Sequence, residues 1–320
     1  VGKFRLKPGT TSKVTKALDI FAKFIPKIGR GSRRRFLAQP SNFENREGLK
    51  EYYFSLSQAD KRPGVSALLR VKNEEDKIFH CLASIVDVFD EIVLIDNGSE
   101  DRTAAIVSEF QKRFDPAGRI NTRVYPFHVS RCGPEHFNTP ENSVHSIVYY
   151  NNWALSFCSR RFICKWDGDM VLKAAARPSF LRHLREIQTS PKACWWLYGQ
   201  TVYRDPAGDF YLAKDEINAQ IMEFPNDGNS RFYKHALYEV LRSNPSLPVI
   251  KTYEEVVFYE LKFTDVDEFS NWSLVDIPTP RKQREQRYFN LVKSGKAREG
   301  PFQKLPASFL DDQIVTAPMP

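Results

Sequence analysis

Carboxylates set at the ends of apolar runs are the side chains of this sequence best placed to do chemistry. Asp167-Gly168-Asp169 follows the hydrophobic stretch 162–166 and precedes Met170-Val171-Leu172. Two carboxylates flanking a glycine at a strand end can hold a hard divalent ion while the backbone approaches closely. Mg2+ or Mn2+ held by Asp167 and Asp169 would bridge phosphate oxygens and neutralise a leaving diphosphate. Two further polar clusters end apolar runs in the same way: Arg70 to Glu74 after 65–69, and Asp96-Asn97-Gly98-Ser99 after 92–95. Each of these types is also ordinary turn chemistry, Asp96 as a turn residue and Glu74 and Glu75 as acids of a helix's first turn. Their convergence on one crevice favours a site for Asp96 and Asp169, whereas Glu75 and Asp101 read as structural acids.

The elements that must position them alternate. Residues 65–71 read as a strand bounded by Pro63-Gly64. Asn73 is expected to cap a helix running through Ile78, Cys81, Leu82 and Ile85. Residues 92–95 are the short, continuously apolar run of a parallel strand covered on both faces, and a second helix carries Ala104, Ile106, Val107 and Phe110. Residues 143–159 read as a helix and 162–166 as a further strand. Strand, helix, strand, helix predicts an α/β fold with an open, mostly parallel sheet flanked by helices, whose ligands sit outside the carboxyl ends of the strands. Beyond about 177, residues 195–198 and 202–203 read as strand, Asp205-Pro206-Ala207-Gly208 as a hairpin turn and 210–212 as its return.

Composition narrows the class. The 320 residues carry a net charge of +8, but residues 1–35 hold eleven Lys or Arg against Asp19 alone, leaving the rest slightly acidic. Within that arm Val14, Ala17, Leu18, Phe21, Phe24, Ile25 and Ile28 form one helical stripe flanked by lysines, an amphipathic pattern suited to an anionic membrane surface or to packing on a neighbour. No aromatic platform or groove-reading motif accompanies the charge, so nucleic acid is not an expected partner. No apolar stretch approaches the roughly 18 residues of a membrane span, and no signal peptide is visible. The five cysteines form no CxxC pair, which argues against a zinc site or a disulfide framework. The expected location is cytoplasmic, peripheral on the inner face of the membrane. The expected division is an arm and linker at 1–62, a main domain at 63–277 with halves 63–176 and 177–277, and a basic helical tail at 278–320.

The stretch "VSALLRVKNEEDKIFHCLASIVDVFDEIVLIDNGSEDRT", with an acidic triplet about one hundred residues after the first strand, resembles family 2 glycosyltransferases. The resemblance is strong over about 63–175. It implies a GT-A fold, with a Rossmann-like nucleotide-binding half and an acceptor-binding half. It also implies an inverting transfer from a nucleotide-diphosphate sugar, with a UDP-sugar favoured. Carried over by position, Arg70, Lys72 and Glu74 fall where the first-strand loop meets the nucleotide. Asp96 and Asn97 fall where an acidic pair contacts base and ribose, Asn97 replacing the second acid. Asp167 and Gly168 would face ribose or metal, and Asp169 would be the principal metal ligand.

An inverting transfer also needs a carboxylate to take the proton of the acceptor hydroxyl. Asp215, Glu216, Glu239, Glu254, Glu255 and Glu260 are available. The segment "RFYKHALYEVL" resembles an acidic motif of some lipopolysaccharide-core members of the family, which favours Glu239, with Glu255 as the alternative. His235, one helical turn before Glu239, is a further metal-ligand candidate. The expected acceptor is a glycan or a lipid-linked glycan of cell-surface polysaccharide or lipopolysaccharide synthesis. Rival readings are a sugar nucleotidyltransferase, which would want a glycine-rich loop where this chain has "RVKNEED", and a non-catalytic nucleotide-sugar-binding scaffold.

Overall fold

The computed structural model describes residues 42–56, 61–189, 193–242, 249–263 and 280–314. The basic amphipathic stripe over 14–28 lies outside the described residues.

Four parallel strands form the half that carries the polar clusters. They are β3 (Arg62–Val71), β4 (Glu91–Asp96), β5 (Ile120–Val124) and β6 (Arg160–Asp167), in the spatial order β6-β3-β4-β5. Every residue of β4 is buried, as its uninterrupted apolar run requires. Side-chain alternation splits the core between two faces. Ala67, Leu69, Val71, Ile92 and Leu94 pack with Ile78, Cys81, Leu82 and Ile85 of α1 (Ile78–Ile85) and with Val107 and Phe110 of α2 (Thr103–Phe114). Leu68, Val93 and Ile95 pack on the other face against Val148, Trp153 and Leu155 of α4 (Ile147–Leu155), whose start is capped by Ser146. A five-residue helix, α3 (Pro134–Asn138), precedes α4.

The sheet continues beyond β6 with the opposite sense. The strands β10 (Asn218–Pro225), β8 (Ala193–Arg204), β9 (Phe210–Ala213) and β14 (Phe302–Lys304) follow in antiparallel succession. The turn from β8 to β9 is the expected one at 205–208. Asp205 Oδ1 accepts from the Ala207 and Asp209 amides, and Gly208 takes the positive φ of 90°. The long strand β13 (Val249–Phe263) runs parallel to β8 and pairs antiparallel with the short β7 (Met170–Leu172). Helices α5 (Arg177–Ile187) and α6 (Pro280–Lys293) flank this half. The stretch expected as a linker before β3 folds in part. Strands β1 (Asn42–Phe43) and β2 (Phe54–Ser55) pair, and Tyr149 OH donates to the Tyr52 carbonyl at 2.8 Å. A hairpin of β11 (Arg231–Lys234) and β12 (Glu239–Arg242) stands apart from the main sheet. All five cysteines are free thiols. No helix among the described residues is long and apolar enough to cross a membrane.

Candidate active site

The carboxyl ends of β3, β4 and β6 bring the polar clusters side by side, because their register pairs Arg70 with Asp167 and Val71 with Asp96. Two loops above them are laced together by backbone donors and side-chain acceptors. The Asn73 amide donates to Ser99 Oγ (2.9 Å) and the Glu100 amide to Asn73 Oδ1 (2.9 Å). The Glu74 amide donates to Thr103 Oγ1 (2.7 Å), the Glu75 amide to Asp101 Oδ2 (3.1 Å) and the Arg102 amide to Glu75 Oε2 (3.0 Å). Glu75 and Asp101 thus lace the two loops together, and Glu75 lies ahead of α1 rather than in its first turn. Asn73 is not the cap of α1. It sits at φ 55°, and the helix starts only at Ile78 after a turn over 74–77.

Arg70 is the hub of the site. Its Nη2 donates to Asp167 Oδ1 at 2.7 Å and its Nη1 to Asn151 Oδ1 at 2.5 Å. Asn152, next along α4, exchanges two hydrogen bonds of 2.9 Å with the Phe232 backbone and so ties the β11–β12 hairpin to the same helix. Arg70 Nε and Asn151 Nδ2 are buried donors with no hydrogen-bond partner among the described residues. Two orphan donors side by side at the carboxyl edge of a parallel sheet suit an oxygen-rich ligand, since buried donors left unmatched are costly. Asn151 was missed in the sequence. The signal was an Asn-Asn pair inside an otherwise apolar helical run.

The remaining expected ligand residues divide. Asp96 Oδ1 accepts from the amide and hydroxyl of Ser99 (2.8 and 2.7 Å), which is turn chemistry. The Asn97 amide group donates to the Tyr125 and Phe127 carbonyls (3.0 and 2.7 Å), so it fastens the segment after β5. This accounts for an amide in place of a second acid, because a carboxylate could not donate. Glu74 Oε2 lies 2.8 Å from the buried Lys77 ammonium, and Lys72 is exposed. Gly168 has no room for a side chain: a Cβ there would meet Val71 Cγ1 at 2.7 Å.

The acidic triplet spans the turn from β6 to β7, which Trp166 Nε1 closes by donating to the Met170 carbonyl at 3.1 Å. Both carboxylates are held by cations. Asp167 faces Arg70 at 2.7 Å and Lys165 at 3.3 Å. Against the upward push of burial, Lys165 and Arg70 hold its carboxyl well below the usual carboxylate range. Asp169 Oδ2 accepts from Lys262 Nζ at 2.7 Å. Lys262 also lies 3.1 Å from Glu260 Oε1, the two residues sharing one face of β13 by strand alternation. Lys262, Arg281 and Lys282 hold Glu260 at about 2 against burial. No group of three or more His, Cys, Asp or Glu that could hold a metal converges among the described residues. Cations thus face both oxygens of Asp167 and Oδ2 of Asp169, an arrangement that does not fit the Mg2+ or Mn2+ expected at Asp167 and Asp169. Burial pushes the Asp169 carboxyl up against the opposing Lys262 charge. Lys165 and Lys262 carried no local motif that marked them.

The two base candidates part company. Glu239 opens β12, and Cys132 Sγ donates to its Oε2 at 3.5 Å. Its charge reaches Arg70, raising the guanidinium pKa together with Asp167 against the effect of burial. Helix α3 buttresses this hairpin. The Gly133 amide bonds the Leu237 carbonyl (2.7 Å), and His136 Nε2 lies 2.9 Å from the His235 carbonyl. Glu255 is exposed beside α5, accepting from Ser179 Oγ (2.5 Å) and Tyr253 OH (3.2 Å). Five residues of strand, about 17 Å, separate it from Glu260. His235 is not on a helix. It stands in the β11–β12 turn, exposed and stacked on Tyr238 at 4.4 Å.

Residues 66–129 match the family model described as glycosyl transferase family 2. This stretch runs from β3 through β5 and contains Arg70, Glu74, Asp96 and Asn97. No curated protein matches the chain in sequence. Among solved structures it is similar to residues 1–349 of TarS from S. aureus, at 12% identity over 64% of this chain and 62% of that chain, with a TM-score of 0.36. The mannosyltransferase PcManGT from Pyrobaculum calidifontis, in complex with GDP-Man and Mn2+, is 15% identical over 61% of this chain and 45% of that chain, with a TM-score of 0.32. Glucosyl-3-phosphoglycerate synthase from Mycobacterium tuberculosis, with Mn2+, UDP-Glc and phosphoglyceric acid, is 17% identical over 52% of both chains, with a TM-score of 0.28. The chain spans less than two thirds of the length of each.

Proposed function

We infer that this chain, whose residues 66–129 are a family 2 glycosyltransferase segment, moves a sugar from a nucleotide-diphosphate sugar to a hydroxyl of a glycan or lipid-linked acceptor. The observation that carries the reading is the pair of orphan donors on Arg70 and Asn151 beside Asp167, within electrostatic reach of the Glu239 carboxylate. A diphosphate offers those donors the oxygens they lack. UDP-sugars and GDP-mannose are the donors to try, being those of the two nucleotide-sugar complexes above.

In the reaction Glu239 takes the proton of the acceptor hydroxyl as its oxygen attacks the anomeric carbon from the face opposite the leaving group, inverting the centre. The bond to the diphosphate oxygen breaks, and that oxygen leaves with the electron pair. Arg70, held in place by Asp167 and Asn151, meets the negative charge that develops. No step runs through Mg2+ or Mn2+. The acceptor belongs to cell-surface polysaccharide or lipopolysaccharide synthesis on the likeness of the Glu239 segment to lipopolysaccharide-core enzymes. Residues 1–35 would bring the chain to the anionic inner face of the membrane, each basic residue near the surface contributing about 1 kcal/mol.

The test is sugar release from UDP-glucose and GDP-mannose by the full chain. Release by the native chain that is lost in Glu239→Gln supports an enzyme. Binding of nucleotide-sugar without any release would indicate a scaffold, and absence of binding would end the reading. Salt-sensitive sedimentation with anionic vesicles, lost on deletion of residues 1–35, is expected of the arm.

A further inference from the structure

Asp169 shares its carboxylate with an ammonium group where a divalent ion would have to bind. We propose that Lys262 supplies the positive charge that faces the donor's diphosphate near Asp169, so that the donor binds without a divalent ion. The proposal rests on the nucleotide-sugar reading above.

Lys262 is not a surface lysine that swings aside. Its side chain is 6% exposed, with Nζ 2.7 Å from Asp169 Oδ2 and 3.1 Å from Glu260 Oε1. Glu260 is itself fixed. It accepts from Asn218 Nδ2, whose other contact is Thr201 Oγ1 at 2.9 Å, and lies 3.7 Å from Arg281 of α6. Arg281 is in turn anchored on Glu285 at 2.5 Å. An ion-pair chain thus runs from α6 through Glu260 and Lys262 of β13 and ends on Asp169 of the acidic triplet. A divalent ion at Asp169 would have to displace this ammonium yet leave it buried a few ångströms away, where like charges in a poorly hydrated site repel strongly.

The surroundings point the same way. Asp167 already has Arg70 and Lys165, and the buried Lys77 adds its charge near Asp169. Mg2+ sites at phosphates ordinarily keep one or two carboxylates for the metal. Here those carboxylates orient cations instead. An ammonium group provides hydrogen-bond donors as well as charge, so it can both hold a diphosphate and stabilise it on departure.

The experiment is calorimetric titration of the full chain with UDP and with GDP, each in EDTA and in Mn2+, together with a Mn2+ titration followed by electron paramagnetic resonance. The expected result is nucleotide affinity within twofold in EDTA and Mn2+, and no stoichiometric Mn2+ in the presence of nucleotide. The paired substitution Lys262→Met with Asp169→Asn removes both charges together and so avoids a lone buried ion. It should weaken nucleotide binding at least tenfold while the circular dichroism spectrum is kept. One Mn2+ per chain with nucleotide, lost in Asp169→Asn, or tight binding only in Mn2+, overturns the proposal and leaves the nucleotide-sugar reading standing. Unchanged affinity in the paired variant also overturns it. Failure of both nucleotides to bind in every condition overturns the proposal and the reading together.

Discussion

Arg70 Nη2 and Asp167 Oδ1 meet at 2.7 Å across the register of two parallel strands, 97 residues apart in the chain. The pair is largely buried, and Arg70 also donates to Asn151 of α4. Removing one partner of such a part-buried pair leaves the other charge poorly compensated, at a cost of about 2 to 5 kcal/mol. Arg70→Met is therefore expected to lower stability by that amount in urea unfolding and to weaken UDP or GDP binding at least tenfold. The double variant with Asp167→Asn should be less destabilised than the sum of the single changes.

Glu239→Gln should leave nucleotide affinity intact and cut turnover by a factor on the order of 10² to 10⁴, the usual contribution of a positioned base. Glu255→Gln should leave turnover within twofold, since its carboxylate serves Ser179 and Tyr253. Steady-state rates with saturating donor check both. A large loss in the Glu255 variant alone would reassign the base.

Much of the first half of the fold is written in local pattern. The runs at 65–71 and 92–95 and the helical spacing at 104–110 need no distant partner to be recognised, and the strand ends follow from them. The capping of α1 was not legible, because Asn73 is drawn into the left-handed region by bonds to Ser99 and Glu100, supplied by another loop. The helical spacing assumed between His235 and Glu239 fails because the segment is a hairpin whose turn holds neither glycine nor proline to announce it, and contacts with α3 and α4 hold it. The partners of the acidic triplet were hidden for the same reason. Lys262 lies 93 residues beyond Asp169 on a strand whose pairing no local signal announces.

Asn97 gives a sharp test of one departure from the family pattern. Its buried amide donates to two carbonyls, so Asn97→Asp places an acceptor against acceptors. The expected loss is about 2 to 4 kcal/mol at neutral pH. Protonating the new carboxyl restores one donor, so the loss should shrink as pH falls from 8 to 5. Urea unfolding at both values measures it. A loss equal at the two pH values would show that the carbonyl contacts are not its source.

Glu216 ties pH to stability beside α6, where its ion-pair partner is Arg284. It is fully buried, with Tyr203 OH donating to Oε2 at 3.1 Å and Arg284 Nε 3.6 Å from Oε1. Burial first, and then the neighbouring Glu285 charge, push its carboxyl up to about 7, with Arg284 opposing them. The folded chain therefore keeps a proton that the unfolded chain loses near the ordinary glutamate value. The proton-linked stabilisation is fully present below that value and is lost as pH rises through about 7. Glu216→Gln keeps the shape of the protonated acid without its titration. It should match the native chain in stability at pH 4.5. At pH 8 it should exceed the native chain by up to about 3 kcal/mol, the size of the pKa displacement expressed as free energy. Parallel urea curves across that range decide the matter. A difference between the two proteins that does not change with pH would mean that Glu216 is ionised throughout, held by Arg284 and Tyr203.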